Sequence, residues 1–324
     1  MSIIDSVIDN AVDAFRFKDT VFYKENSDLQ DKYDALSKLN NEFPNNEELL
    51  EELYIVKKGL DGENEIAYQL KKANIGMYVL RDIKVKYEDL TAQIDYVVIT
   101  PLYTYFIECK NLVGNITVNE KGDFIRELTI NGKKIKKGMY SPLRQVEAQR
   151  EVIRKIWESK TNKLKLFFAS KFFNNYNRIL VVAANQDTIL NTKYAPSDMK
   201  YIVLRSDALV RQLQYDFDHR DKDMPLDNEK AMKEQAQSFI NGSINEKIDY
   251  YEYYKKKYNL ENMICPECGG TLIKRDGKYR PFYGCSNYPK CHYIKKISKW
   301  YLFLFVFLIQ FKVIDSTSIH SRCG

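Results

Sequence analysis

Histidine is scarce in this 324-residue chain, with three in all. That scarcity weighs against a Ser-His-Asp hydrolase and against nucleases that use histidine as general base. There is no stretch of about twenty apolar residues, the length a helix needs to cross a bilayer. Residues 300–309 give ten, followed by Gln310, Phe311 and Lys312. Membrane contact through this tail, as an interfacial anchor, and a shifted reading frame both stay open. The opening Met1-Ser2-Ile3-Ile4-Asp5 lacks the positive region of a signal peptide. Gly59 and Gly62 lack the Gly-Lys-Ser/Thr ending of a phosphate-binding loop, so no nucleotide cofactor is expected. Four of the six cysteines cluster late in the chain with paired spacing, which without a secretion signal reads as metal binding rather than disulfides. A cytoplasmic location is the expectation.

The chain is long enough for two or three folding units. Its net charge of +6 hides an asymmetry. Residues 1–70 hold 16 acidic against 7 basic side chains, whereas 131–165 hold 11 basic against 3 acidic. Concentrated basic charge points to a polyanion partner or to a solvated face. Residues 3–15, with Ile4, Val7, Ile8, Ala11 and Phe15, and 28–58, with Leu29, Tyr33, Leu36, Leu49, Leu53 and Val56, have helical spacing and acidic outer faces.

The chemistry-bearing stretch is 93–110. It reads Gln93-Ile94-Asp95-Tyr96-Val97-Val98-Ile99, a turn at Thr100-Pro101, then Tyr105-Phe106-Ile107-Glu108-Cys109-Lys110. Two β-branched and aromatic strands are predicted. Alternation puts Glu108 and Lys110 on one face and Cys109 on the other, and a hairpin partner brings Asp95 beside them. Buried charges of this kind form either a compensated ion pair or a site that holds a cation.

Upstream, Gly59-Leu60-Asp61-Gly62-Glu63 opens a predicted helix, and Met77-Tyr78-Val79-Leu80 a strand. This order of a helical Glu, a strand Asp and a Glu-x-Lys resembles the PD-(D/E)xK nuclease superfamily. Residues 57–160 in particular resemble a nuclease-related (NERD) domain. The matching positions are Gly59, Gly62, Glu63, Gln93, Asp95, Glu108, Lys110, Gly114, Pro142 and Gln145. Ser141 stands where the family usually has Asn but keeps a helix-capping oxygen, and Tyr103-Thr104 occupy a turn where glycine is common. The resemblance implies catalytic roles for Glu63, Asp95, Glu108 and Lys110. It implies Mg²⁺ held by Asp95 and Glu108, with Lys110 orienting water or stabilising negative charge, and Gln93 and Gln145 as substrate-binding or supporting groups.

After Gly114, apolar runs flank Asn131-Gly132, a strong hairpin signal, with Lys133, Lys134, Lys136 and Lys137 following. These lysines either contact phosphates or keep an edge strand soluble. Ser141-Pro142 starts a helix with Val146, Ile153, Ile156 and Trp157 on one face, and Gln145 and Gln149 one turn apart on a shared face. Strands at 178–183 and 201–204 and a helix at 206–216 complete the unit. Residues 218–262 read as a helical or flexible connector carrying Tyr250, Tyr251, Tyr253 and Tyr254 beside Lys255-Lys256-Lys257.

Cys265-Pro266-Glu267-Cys268 and Cys285 with Cys291 then supply C-x₂-C and C-x₅-C pairs. Four thiolates in two knuckles suit tetrahedral, structural Zn²⁺. Cys-Pro-x-Cys-Gly-Gly, Phe282-Tyr283-Gly284-Cys285-Ser286 and Tyr288-Pro289-x-Cys291 resemble the C4 zinc finger of type IA topoisomerases. Residues 262–299 hold eight Lys and Arg against Glu267 and Asp276, interleaved with Tyr279, Phe282 and Tyr283, as in single-strand-binding surfaces.

The expected fold is therefore α/β, a PD-(D/E)xK restriction-endonuclease-like mixed sheet flanked by helices. Its expected parts are a helical extension at 1–56, a NERD domain at 57–217, a connector at 218–262, a zinc ribbon at 263–297 and an apolar tail at 298–324. The function it implies is an Mg²⁺-dependent nuclease acting on DNA, with a zinc finger that holds nucleic acid. The alternative is a non-catalytic DNA-binding or DNA-processing accessory protein on the same fold, and a membrane-associated role is the weakest of the three.

Overall fold

Alternating and continuous apolar runs between residues 77 and 110 build the centre of the molecule. In the computed structural model, β2 (Met77–Tyr87) and β3 (Leu90–Ile99) form a long antiparallel hairpin, and β4 (Thr104–Lys110) pairs with β3. The structure describes residues 17–44, 46–130, 132–162, 166, 170–244, 246–258, 260–278 and 281–296. The helix expected at 3–15, Asn131, Tyr279, Arg280, Lys299 and the tail from 298 lie outside the described residues. Among those that are described, no helix is long and apolar enough to cross a membrane.

The described residues divide into two compact units. The first, from 17–27 and 61–246, holds a six-stranded mixed sheet in the order β1-β2-β3-β4-β8-β10, with β1 at Thr20–Lys24, β8 at Asn177–Ala183 and β10 at Val203–Arg205. β4 is antiparallel to β3 and parallel to β8, which makes it an interior strand. Its Tyr105, Phe106 and Ile107 are buried, as a strand covered on both faces requires. One face packs on Ile66, Ala67 and Leu70 of helix α2 (Glu47–Lys71). Helix α3 (Pro142–Lys160) lies against β3, β4 and β8 through a stripe that includes Val146, Val152 and Ile153. Ser141 caps α3 by accepting from Arg144 N, with Pro142 at the first helical position.

A second sheet in this unit has the order β7-β6-β5-β9, with β5 at Asn115–Val118, β6 at Phe124–Ile130, β7 at Lys133–Met139 and β9 at Leu190–Asn191. Helix α4 (Leu209–Asp218) follows β10, and α5 (Glu229–Gly242) packs on β2 and β3.

The second unit comprises 28–60 and 247–296. Leu36 and Leu39 of α1 (Asp28–Glu42), Leu49 and Val56 of α2, and Tyr250 and Tyr254 of α6 (Tyr250–Lys257) share its core. The tyrosine cluster is packing: Tyr250 donates to Asp28 at 2.6 Å and Tyr258 to Glu52 at 2.6 Å. The ribbon is a three-stranded sheet of β11 (Leu272–Arg275), β12 (Phe282–Cys285) and β13 (Ile294–Lys296).

Three features differ from the sequence expectation. Residues 20–24, expected in a helical extension, form β1 (Thr20–Lys24), parallel to β2 at the sheet edge. Thr20, Val21, Phe22 and Tyr23 have strand propensity, but the run is too short to show a period. The helices expected before and after Gly59 are one helix, α2, because the packing of its apolar face outweighs the roughly 1 kcal/mol that each interior glycine costs. The expected connector contains α5, which packs in the first unit, and α6, which packs in the second.

Candidate active site and metal centre

The pairing of β3 with β4 runs from Ile99↔Thr104 to Tyr96↔Ile107 and goes no further. Asp95 therefore stands where the two strands part, and its Oδ2 accepts the Cys109 N–H at 2.7 Å in place of a ladder carbonyl. This contact ties the aspartate to the Glu-Cys-Lys backbone. Oδ1 has no hydrogen-bond partner among the described residues.

Glu108 is 2 % exposed. Its Oε1 meets Lys110 Nζ at 2.7 Å, and its Oε2 accepts from Gln149 Nε2 at 3.0 Å. Lys110 Nζ also donates to Gln145 Oε1 at 3.1 Å. Strand alternation on β4 pairs Glu108 with Lys110, helical spacing on α3 pairs Gln145 with Gln149, and the packing of α3 on β4 brings the two pairs together.

Glu63 reaches the same end of the sheet from α2. A Cβ on Gly62 would lie 2.5 Å from Asn111 Cβ, so only glycine lets the helix approach the end of β4 this closely. The Glu63 carboxylate is taken by Arg81, whose Nε donates to it at 2.7 Å in a pair with both side chains 7 % exposed. Arg81 also donates to Asn64 Oδ1 at 2.9 Å. Gln93 is exposed and its amide is turned to Asp82, at 2.7 Å, rather than to Asp95.

Three participants were not singled out by sequence reasoning. Asp82 is buried with φ of 54° and lies opposite Asp95, where the β2–β3 ladder skips from Arg81↔Tyr96 to Ile83↔Ile94. Arg81 is the counter-ion of Glu63. Gln149, noted only as sharing a face with Gln145, bridges Glu108 and the Gln93 carbonyl at 2.7 Å. Its Nε2 faces two acceptors, which fixes the amide orientation and leaves the buried Oε1 without a partner. No motif spacing marks Asp82 or Arg81, since their proximity arises from the fold.

The electrostatics follow from crowding. Burial, then the Glu108 and Glu63 charges, hold the Asp95 carboxyl well above the usual carboxylate range, against Lys110 and the Cys109 N–H, which act to lower it. Burial also raises Glu63, outweighing Arg81. Burial pushes Lys110 down, but the charge and hydrogen bond of Glu108, with Asp95 and Cys109 added, together push it up, so the ammonium stays charged. The Cys109 thiol is raised by burial and by the surrounding carboxylates, which makes it a neutral, inert side chain rather than a nucleophile. The cluster is thus acid-rich and short of positive charge. Its donors are carboxylate and amide oxygens, the kind that hard divalent cations prefer.

The second centre is in the ribbon. The Sγ atoms of Cys265, Cys268, Cys285 and Cys291 all lie within 4.8 Å of one another, with Cys265 to Cys291 at 3.6 Å and Cys268 to Cys285 at 3.3 Å. The edge of a tetrahedron with Zn–S of about 2.3 Å is about 3.8 Å, so the four sulfurs fit one Zn²⁺ in a closed, structural site. The Gly270 N–H and neighbouring donors draw the Cys268 thiol down to about 6, into the range where a thiolate ligand forms. His292 is not among these ligands.

Residues 58–181 match the family model of the nuclease-related domain, and residues 262–299 that of the topoisomerase DNA-binding C4 zinc finger. The chain therefore carries a NERD domain followed by a topoisomerase-type zinc ribbon. It is 59% identical over 39 residues to DNA topoisomerase 1 of Methanocaldococcus jannaschii, covering 12% of this chain and 5% of that protein. Likeness to DNA topoisomerase 1 of Mycoplasmoides gallisepticum is 50% over 42 residues, or 13% and 6% of the two chains. The protein YrdD of Escherichia coli is 50% identical over 36 residues, 11% of this chain and 20% of that one. The chain thus spans only about a twentieth of the length of these topoisomerases. No solved structure matches.

Proposed function

We propose that this protein is an Mg²⁺-dependent nuclease that cleaves DNA phosphodiester bonds, and that its zinc ribbon holds nucleic acid. The observation that carries this reading is the Asp95, Glu108 and Lys110 cluster at the parting of β3 and β4, inside a nuclease-related domain. Asp95 and Glu108 would hold the metal. When bound there, Mg²⁺ supplies charge neutralisation at the phosphoryl group and activation of water.

Lys110 is charged and fixed by Glu108 and Gln145, so it presents an N–H to the attacking water or to the developing negative charge. Gln149 holds Glu108 in one rotamer. Arg81 holds Glu63 and limits the repulsion that Asp95 feels. In the ribbon, Arg275, Phe282, Tyr288 and His292 line a groove whose rings and guanidinium suit base stacking and phosphate contact.

The test is purified full-length protein on plasmid and linear DNA with Mg²⁺, beside Lys110→Ala and Asp95→Ala. Nicking or degradation is expected for the wild type, with a loss of about 10²-fold or more in each variant. Equal activity in all three proteins refutes the assignment. DNA binding with no cleavage by the wild type supports instead an accessory role on a nuclease-like fold.

A further inference from the structure

Strands β6 and β7 pair over seven positions, from Phe124↔Met139 at the base to Ile130↔Lys133 near the tip. β5 covers β6 only as far as Glu127. The remaining three pairs, about 10 Å of strand, continue as a bare two-stranded ribbon. Lys133 and Lys134 are exposed on it, and Lys136 and Lys137 are exposed just below it, opposite Glu127 and Arg126. Strand alternation places Lys134 and Lys136 on one face, near Glu127 at 3.4 Å each, and Lys133 and Lys137 on the other, with Arg126 opposite Lys137. Glu127 is the one acid between residues 124 and 139, against five basic residues.

The base of the ribbon packs beside Lys110 of the candidate active site. Phe124 and Met139 line one cavity with Lys110 and Pro142. Three residues after Met139 the chain enters α3, which carries Gln145 to the Lys110 ammonium. From Met139 to Lys133 is six residues, about 20 Å of strand, or about six base pairs of duplex.

We propose that the β6–β7 ribbon is a duplex-DNA arm that enters the major groove of B-form DNA beside the cleavage site. The proposal deepens the nuclease reading and rests on it for the place of the cut. The B-DNA major groove is about 12 Å wide and admits a two-stranded β-ribbon. Lysines on both ribbon faces then meet the phosphates of both groove walls. Edge protection alone needs no charge on both faces beside an active site. An A-form RNA duplex has a deep, narrow major groove that excludes the ribbon, and a single strand offers one phosphate rail.

The test measures binding without cleavage. Full-length protein in Mg²⁺-free buffer is titrated, by fluorescence anisotropy over a range of NaCl, with a 20-base-pair DNA duplex, one of its single strands and the matching RNA duplex. Wild type is compared with the quadruple Lys→Gln variant at 133, 134, 136 and 137, and with the quadruple Lys→Arg variant. The Gln variant is expected to bind duplex DNA about tenfold or more weakly, with its log–log salt slope reduced by about 3. Its affinity for the single strand and for RNA is expected to change less than about twofold, and the Arg variant to bind like wild type. Unchanged duplex affinity and slope, an equal loss on all three ligands, or loss in the Arg variant overturns the proposal. So does a Gln variant that aggregates while its soluble fraction binds duplex DNA normally, because the lysines then serve edge protection. Failure of the nuclease reading shows as no Mg²⁺-dependent cleavage by wild type, which this binding experiment does not measure.

Discussion

Asp95 carries the largest electrostatic load at the site. Its carboxyl titrates higher in the fold than its ordinary value of 3.8, chiefly through burial and the Glu108 charge. A raised folded value means that the protonated form favours folding. That contribution is complete below the unfolded pKa and is lost as pH rises through the elevated folded one. In Mg²⁺-free buffer, Asp95→Asn is therefore expected to melt higher than wild type, with a larger gain near about pH 8 than near about pH 5. Asparagine can still accept the Cys109 N–H, so the backbone tie survives. Melting curves at the two pH values check this, and an equal gain at both, or a lower melting temperature near pH 8, contradicts it. The same substitution should remove cleavage, so the residue trades stability for function. Much of the site was legible at this scale, because strand alternation around Asp95, Glu108 and Lys110 constrains where charged side chains emerge. Asp82 and Arg81 were not legible: each acquires its role through a partner 13 to 18 residues away in the chain, on another element.

At the scale of the element, glycines misled the sequence reading and then explained the structure. Gly59 and Gly62 looked like a helix start but lie inside α2, where Gly62 permits contact with Asn111. Gly114, just after the Glu-x-Lys strand, has φ of 98°, and a Cβ there would lie 2.4 Å from the Glu127 carbonyl oxygen. Gly114→Ala is expected to cost about 1–3 kcal/mol, read as a lower urea midpoint with an unchanged slope. A midpoint equal to that of wild type contradicts this account of the turn. β1 stayed hidden because a five-residue edge strand of intermediate burial has no pattern that separates it from its acidic, helical surroundings. The β5–β6–β7 hairpins, the Ser141 cap and the knuckle cysteines carried strong local chemistry and were readable.

For the whole molecule, two separately cored units imply separable responses. The ribbon core is Cys265, Leu272, Cys285 and Cys291 with a few partly buried neighbours, too little apolar surface to hold three short strands without a metal. The protein is expected to contain one Zn²⁺ per chain by elemental analysis. Cys285→Ser should lose the zinc and open the ribbon to protease, while the NERD domain keeps its melting transition. A zinc-free wild type with a protease-resistant ribbon contradicts this. The zinc-finger resemblance was legible because it rests on side chains whose spacing is set by one motif, and the nuclease-related one because its short motifs follow one another in a fixed order. The division into units was not, since α1 and α6, about 200 residues apart in the chain, meet only through tertiary packing.

The central claim is that Asp95 and Glu108 enclose one divalent cation beside Lys110. Mn²⁺ shares the oxygen preference of Mg²⁺ and is visible by electron paramagnetic resonance, so titrating the zinc-loaded protein with Mn²⁺ tests that claim most directly. One Mn²⁺ site per chain is predicted, weakened by about tenfold or more in Asp95→Asn and in Glu108→Gln. Mn²⁺ binding of the same affinity and stoichiometry in both variants would contradict the account.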